Sequence, residues 1–308
     1  MMLTRLVSGL GLSVGSLVLG WWLGQLHIFT ESRAKRVVWW TVWLSPVTAC
    51  LSFWPLELRD PRVFALPLIG GALCVLALPP AWWYVRRARL PGPQAGAFLV
   101  CAMFSNVGFI GAFTAFALFG EAGYSLSMLY LVFFSPCYYL IGFAIARRFG
   151  HRPASGEADG VPSGELRALY FVGLLAGLGL SLAHVPRPAV LRLANHLLIP
   201  ATTAIYLAAV GSQIRVEPFG QALRPCLAMS AIKFWYTPLA AWLLVWGFHL
   251  EGTARLVVLL QGAMPVAISP LTLPMLFGVD RTLTNALWLC TTLLAIPWLL
   301  LYLPLLLR

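Results

Sequence analysis

Apolar runs of about 20 residues, separated by short polar loops, recur along this 308-residue chain and constrain its fold more than any other feature. A run of that length spans the hydrocarbon core of a bilayer as an α-helix. In a bilayer only helices and closed barrels satisfy every backbone polar group. Barrel strands would show alternating patterns of about ten residues, which this sequence lacks. The sequence therefore predicts an all-α membrane protein.

Ten such runs can be read from the sequence, and we number them spans 1 to 10. The chain is 60% hydrophobic and only 10% charged, whereas a soluble chain has about 25% charged residues. We expect span 1 to be a retained helix, because it continues through Trp21 and Trp22 without the cleavage pattern of a signal peptide. The spans cover roughly residues 6–29, 37–57, 63–84, 96–119, 122–146, 167–184, 189–213, 222–247, 253–277 and 281–307.

The formal net charge of +11 reflects membrane topology and does not indicate nucleic-acid binding. The basic residues are spread over short loops, and nucleic-acid binding would gather them on one face. Thirteen fall in the loops after the odd-numbered spans and seven on the opposite side. The positive-inside rule then predicts a cytoplasmic linker at residues 147–166 and places both termini outside. The thirteen are Arg33, Lys35, Arg36, Arg86, Arg87, Arg89, Arg147, Arg148, Arg152, Arg167, Arg215, Arg224 and Arg281.

Proline positions indicate an internal repeat. Pro46, Pro80 and Pro136 recur as prolines 154, 158 and 161 residues later. The polar, Gly/Pro/Ser-rich linker lies midway, so we predict two five-helix repeats at 1–146 and 167–308. An odd number of spans per repeat requires opposite orientations, which is the inverted-repeat plan of many secondary transporters.

Spans 4 and 9 carry the predicted binding site, because both contain helix-breaking residues at corresponding places. Span 9 has three prolines between positions 265 and 274, and Asn106 lies near the middle of span 4. Inverted-repeat transporters place their site where such paired helices break. The glycines of span 4 could instead serve helix packing, and Asn106 could link helices. The predicted substrate-binding residues are Ser105, Asn106, Gly108, Gly111, Lys233, Gln261, Met264, Pro265, Ser269 and Thr272.

Lys233 is the only charged residue in the middle of a span. No Asp or Glu occupies a mid-span position to neutralise it, so it extends to the interface, pairs with carbonyls, or meets an anionic ligand. The six cysteines lie in different spans without a C-x-x-C pair, as expected for small core residues. We predict no metal and no cofactor, and no enzyme motif is present.

Several stretches resemble the auxin efflux carrier family of membrane transport proteins, and the resemblance runs nearly end to end. This chain departs from the family pattern at two positions. In span 4 the family usually has a proline two residues after the second glycine of the stretch Asn106–Gly111, where this chain has Phe113. In span 9 the family usually has an asparagine where this chain has Ser269. The stretches are Gly20–Gly24, Ile28–Ser32, Leu44–Pro46, Asn106–Gly111, Leu118–Glu121, Ile199–Gln213 and Gln261–Ala267.

The resemblance implies that spans 4 and 9 cross within a transport domain that moves against a scaffold of spans 1, 2, 6 and 7. It also implies a homodimer and, from the bacterial members, the inner membrane. Phe113 weakens the expected break in span 4, and Ser269 indicates a changed polar contact.

We therefore predict a secondary transporter that exports a small organic anion or carboxylate by an alternating-access, elevator-like mechanism. The mid-span groups are hydrogen-bond donors or cationic, and no mid-span acid attracts a cation. The alternatives are a sodium-coupled symporter of the bile-acid type and a membrane sensor module. The predicted partners are the organic anion, the lipid bilayer and a second copy of the chain.

Overall fold

A computed structural model describes residues 2–55, 61–151, 164–214 and 222–306, and within these ranges the chain is helical, with no strand beyond one isolated β-bridge. The all-α membrane-protein prediction is confirmed. In chain order the helices are α1 (Met2–Gln25), α2 (Glu31–Phe53), α3 (Leu66–Leu76), α4 (Leu78–Ala88), α5 (Gly92–Met103), α6 (Ala112–Tyr130), α7 (Phe134–Cys137), α8 (Phe143–Phe149), α9 (Gly164–Leu182), α10 (Ala189–Gly211), α11 (Leu223–Ala231), α12 (Thr237–Gly247), α13 (Gly252–Gly262), α14 (Leu273–Phe277) and α15 (Arg281–Leu306).

These helices occupy the positions of the ten predicted spans. Within the described ranges, six helical segments are long and apolar enough to cross a bilayer. Two shorter apolar helices, Gly92–Met103 and Phe171–Leu182, accompany them. The linker is shorter than the predicted range 147–166, because α8 continues to Phe149 and α9 begins at Gly164. Its centre, residues 152–163, lies outside the described residues. The inverted-repeat arrangement stays a prediction.

Two compact units divide the chain, and each takes segments from both sequence halves. Unit 1 comprises Met1–Pro61, Ala112–Met128 and Gly160–Ile214. Unit 2 comprises Arg62–Gly111, Leu129–Asp159 and Arg215–Arg308.

Closely packed helix pairs form unit 1. A Cβ added to Gly20 or Gly24 of α1 would overlap the backbone of α10 or of the residue that follows it, Ser212. A Cβ added to Gly173 or Gly177 of α9 would overlap the backbone of α2. Glycines four residues apart lie on one helix face and let two backbones approach closely, which is how helices associate in lipid.

A buried polar cluster fixes α6 within unit 1. The helix is interrupted at Gly120, where φ is 66°, a value that glycine adopts without steric cost. The next residue, Glu121, accepts hydrogen bonds from Arg187 Nη2 at 2.5 Å and Asn195 Nδ2 at 2.8 Å. Arg187 Nη1 also donates to Leu51 O at 2.6 Å. We call Glu121, Arg187 and Asn195 the hairpin cluster, because they hold the turn between the two arms of α6.

The core of unit 2 surrounds α5. Every residue of α5 from Ala95 to Met103 is buried, and α5 contacts α3, α4, α8, α11 and α15. A helix buried on all sides reads in sequence as a continuous apolar run, and this helix leads directly into the break in span 4.

Candidate functional site

The extended backbones of spans 4 and 9 pair with each other inside unit 2. α5 ends at Met103 and α13 ends at Gly262. Beyond them Asn106 N donates to Pro265 O at 2.7 Å, and Ala267 N donates to Phe104 O at 2.9 Å. These hydrogen bonds replace the helical ones that are lost at the breaks. The backbone N–H and C=O groups of both segments therefore remain hydrogen-bonded within the membrane.

Proline explains the break in span 9. Pro265 has no N–H group to continue α13, and the residue before a proline disfavours the helical conformation. After the paired stretch the chain forms a 3₁₀ turn at Ser269–Thr272, followed by α14. The predicted break in span 9 is therefore present.

Span 4 breaks without a proline. Phe104 adopts an extended conformation, with φ −104° and ψ 120°. Asn106 Oδ1 then accepts a hydrogen bond from Ile110 N at 3.3 Å, and this bond caps the π-helical segment Val107–Gly111. The expectation that Phe113 weakens the break is wrong, because pairing with span 9 and the Asn106 side chain supply what the proline would.

Lys233 is fully buried and lies beside the break in span 4. Its amino group donates to Ala102 O at 2.7 Å and to Ser105 Oγ at 2.9 Å, and its exposed fraction is 0%. Of the alternatives considered, pairing with a carbonyl is the one observed, and the side chain does not extend towards an interface. Its position in the π-helical segment Ile232–Tyr236 directs it inward.

Several buried polar groups near the crossing have no hydrogen-bond partner among the described residues. They are Asn106 Nδ2, both amide atoms of Gln261, and Ser269 Oγ. An unsatisfied buried polar group costs about 1–3 kcal/mol, so such groups together indicate a site that receives water or a ligand.

A small cavity adjoins one of these groups, the Gln261 amide, and also the hydroxyl of Ser105. About 20 Å³ is open to the centre of a water molecule, which is room for roughly one water. The site is therefore nearly closed in this conformation. The lining combines polar groups with an apolar wall: Gly70, Leu73, Cys74, Met103, Ser105, Val107, Tyr130, Phe134, Thr237, Gln261 and Gly262.

The two predicted glycines differ in their surroundings. A Cβ added to Gly111 would overlap Gln261 Oε1 and would lie 3.0 Å from Met264 Cγ. A Cβ added to Gly108 would make only an ordinary contact with Leu131, at 3.5 Å. Gly111 thus lets the Gln261 side chain approach closely at the crossing, whereas Gly108 has room for a methyl group.

Seven of the ten predicted residues meet at or beside the crossing. Gly108 instead faces Leu131, and Ser269 and Thr272 contact Tyr138 of span 5. Tyr138 shares hydrogen bonds of 2.8 Å with Ser269 O and Thr272 Oγ1. The seven are Ser105, Asn106, Gly111, Lys233, Gln261, Met264 and Pro265.

Sequence reasoning missed Tyr138 and Thr237. Thr237 Oγ1 donates to Gly262 O at 2.8 Å, at the end of α13. One hydroxyl among the many polar residues of a membrane helix gives no signal by itself, so neither residue could have been identified without the fold. Within the described ranges, no group of three or more His, Cys, Asp or Glu residues could hold a metal ion.

Residues 161–303 match the model of a family described as membrane transport protein, the family of the auxin efflux carriers. The comparison with curated proteins gives no match. Over residues 161–303, a region that contains span 9 and Lys233, the family recognised from the motifs is confirmed.

Proposed function

Because this chain belongs, over residues 161–303, to the membrane transport protein family, we propose that it is a secondary transporter that exports a small organic anion. The observation that carries the proposal is the crossing of spans 4 and 9, which brings together unpartnered amide groups, a buried lysine and a small cavity lined by Ser105 and Gln261.

The charge at the crossing favours an anion. Lys233 is the only charged residue within the described ranges that is completely buried, at 0% exposure. Ser105 Oγ accepts its hydrogen bond from Lys233, which leaves the hydroxyl hydrogen available to the cavity that Ser105 lines. Asn106 Nδ2 and Gln261 Nε2 are further donors. A carboxylate accepts several such bonds, whereas an ammonium would repel the lysine.

The division into units supports an elevator-like mechanism. Unit 2 contains all the paired backbone of the crossing, together with Lys233 and Gln261. Unit 1 contains spans 1, 2 and 7 and the described part of span 6, the scaffold that the family resemblance implies, with residues 112–128 added. We propose that unit 2 carries the substrate across the bilayer, and that the transporter is a homodimer in a bacterial inner membrane.

Membrane potential is the proposed driving force. It contributes about 2.3 kcal/mol per elementary charge per 100 mV, which is sufficient for export of an anion against a concentration gradient. No Asp or Glu among the described residues lines the cavity at the crossing, so no acidic proton relay is part of the proposal.

Transport by purified protein in proteoliposomes tests this function. We expect carboxylates to move when a potential is imposed, with or without sodium, and matched amines of the same carbon skeleton to remain. Selective transport of amines, or no carboxylate transport at any potential, would contradict the proposal. Strict dependence on sodium would identify the symporter alternative.

Replacing Asn106 tests the site itself. Asn106→Ala removes an unpartnered donor and the cap on Ile110 N, and the loss of one such bond, about 1.4 kcal/mol, corresponds to roughly tenfold weaker carboxylate binding. Insertion should persist, because no apolar bulk is lost. Thr202→Ala is the control, since that hydroxyl bonds carbonyls of its own helix. Unchanged affinity in Asn106→Ala would remove Asn106 from the site.

A further inference from the structure

The C-terminal end of α5 is an electronegative point inside unit 2. The last carbonyls of a helix lack intrahelical partners, and the helix dipole concentrates about half a negative charge there. α5 ends at Met103 in a buried environment away from bulk water. Ala102 O, one of them, accepts a hydrogen bond from Lys233 Nζ at 2.7 Å.

The two broken helices end differently. At the end of α13, Gly262 O accepts a hydrogen bond from the neutral hydroxyl of Thr237, at 2.8 Å. At the end of α5 the donor is the amino group of Lys233. Lys233 and Thr237 lie four residues apart, and Thr237 Oγ1 also bonds Lys233 O at 2.8 Å. One short segment of span 8 therefore caps both half-helices, and it brings an ionisable amino group to only one of them.

Coupling cations bind at this kind of place in transporters with broken helices. Half-helix C-termini and unwound carbonyls coordinate sodium or protons there. The ligands around Lys233 Nζ, a backbone carbonyl and a serine hydroxyl, are oxygen donors of that kind. No Asp or Glu among the described residues is buried near them.

We propose that the protonated amino group of Lys233 takes the place of a coupling cation at the end of α5, so that the crossing is held together without sodium. This inference rests on the proposed function. It assigns Lys233 as a positioning residue, which stabilises the break in span 4 and orients Ser105.

Chemical rescue of a truncated lysine tests the proposal. Lys233→Ala removes the atoms that n-propylammonium would restore, whereas Lys233→Met fills the same space without charge. We expect both variants to have a thermal unfolding midpoint in detergent lower than wild type by about 5 °C. Propylammonium, or sodium with water, should raise the midpoint of Lys233→Ala. Neither should raise that of Lys233→Met, and wild type should not respond to sodium, with tetramethylammonium as the ionic-strength control.

The possible results separate clearly. A Lys233→Ala midpoint that responds to neither cation, or a wild-type midpoint raised by sodium, would overturn the proposal. If Lys233→Ala does not insert, Lys233→Met decides alone: a midpoint equal to wild type overturns the proposal, and a lowered midpoint supports it. Carboxylate binding by the wild type, measured separately, shows whether the proposed function itself has failed.

Discussion

Gly111 and Gly108 stand three residues apart in one π-helical segment and offer a matched pair of substitutions. Gly111→Ala places a methyl group against the Gln261 amide, and overpacking of this kind costs about 1–3 kcal/mol. We expect Gly111→Ala to lower the unfolding midpoint and to weaken carboxylate binding. Gly108→Ala gains the same helix propensity without the overlap.

Thermal unfolding in detergent and carboxylate binding measure both variants side by side. The prediction concerns the difference between them. Equal behaviour of Gly111→Ala and Gly108→Ala would show that Gln261 moves aside without cost.

The hairpin cluster permits a test of a buried ion pair. The side chains of Arg187 and Glu121 are 5% and 12% exposed. Removing one partner of such a pair leaves a buried charge and costs about 3–5 kcal/mol, whereas removing both costs less. We expect Arg187→Met to destabilise strongly, and Arg187→Met with Glu121→Gln to recover part of the loss. A double variant less stable than Arg187→Met would contradict this reading.

At single positions the sequence identified residues that are unusual for their location. Lys233 is recognisable because a mid-span charge is rare, and Asn106 because it lies near the middle of a helix with glycines. The residues that bond the predicted ones could not be identified, since Ala102 offers Lys233 only a backbone carbonyl. Tyr138, which bonds Ser269, is an ordinary aromatic residue in a membrane helix. Contacts between distant segments depend on packing, and a single sequence does not record packing.

Among the elements, the two broken spans were predictable to different degrees. Pro265 made the break in span 9 evident from chemistry alone. The break in span 4 depends on hydrogen bonds from Asn106 N to Pro265 O and from Ala267 N to Phe104 O, so its cause lies in another span. The expectation for Phe113 was wrong for this reason.

Helix contacts also bring cysteines together in two pairs that sequence spacing concealed. The side chains of Cys74 in α3 and Cys137 in α7 are neighbours, as are those of Cys226 in α11 and Cys290 in α15. We expect diamide to form both disulfides, with each pair of thiols losing two protons and two electrons to the reagent. Mass spectrometry of digested protein would detect the linked peptides.

Single substitutions provide the controls for this cross-linking. Cys137→Ala should abolish the first disulfide and leave the second, and Cys50→Ala should affect neither. A disulfide that joins Cys74 to Cys226 or Cys290 would show that the helices pack differently.

For the whole molecule, the charge bias of thirteen to seven predicts orientation. The test introduces a single cysteine at position 156, in the predicted cytoplasmic linker, into a cysteine-free variant. In sealed cells this cysteine should not react with an impermeant maleimide. It should react after lysis. Ala183→Cys, at an exposed position just after α9 and at the predicted external end of span 6, should react before lysis. The reverse pattern would invert the topology.

The family resemblance implied which spans form each of the two units. No physical pattern in the residues indicated it. Residues 112–128 belong to unit 1, although they lie between two segments of unit 2. The hairpin cluster explains this assignment, because Arg187 and Asn195, both far along the chain, hold Glu121. The hydrophobicity of residues 112–128 does not reveal that they bond to residues so distant in the sequence.

Burial of a protonated Lys233 within the unit proposed to move has an electrical consequence. With a monovalent anion bound, the lysine and its cargo sum to zero charge, so the loaded carrier crosses the field without electrical work. The empty carrier keeps one positive charge, and a negative interior pulls it back towards the cytoplasm. Voltage would then act on the return of the empty carrier and not on export itself, so substrate exchange across the bilayer would be insensitive to potential while net efflux would depend on it.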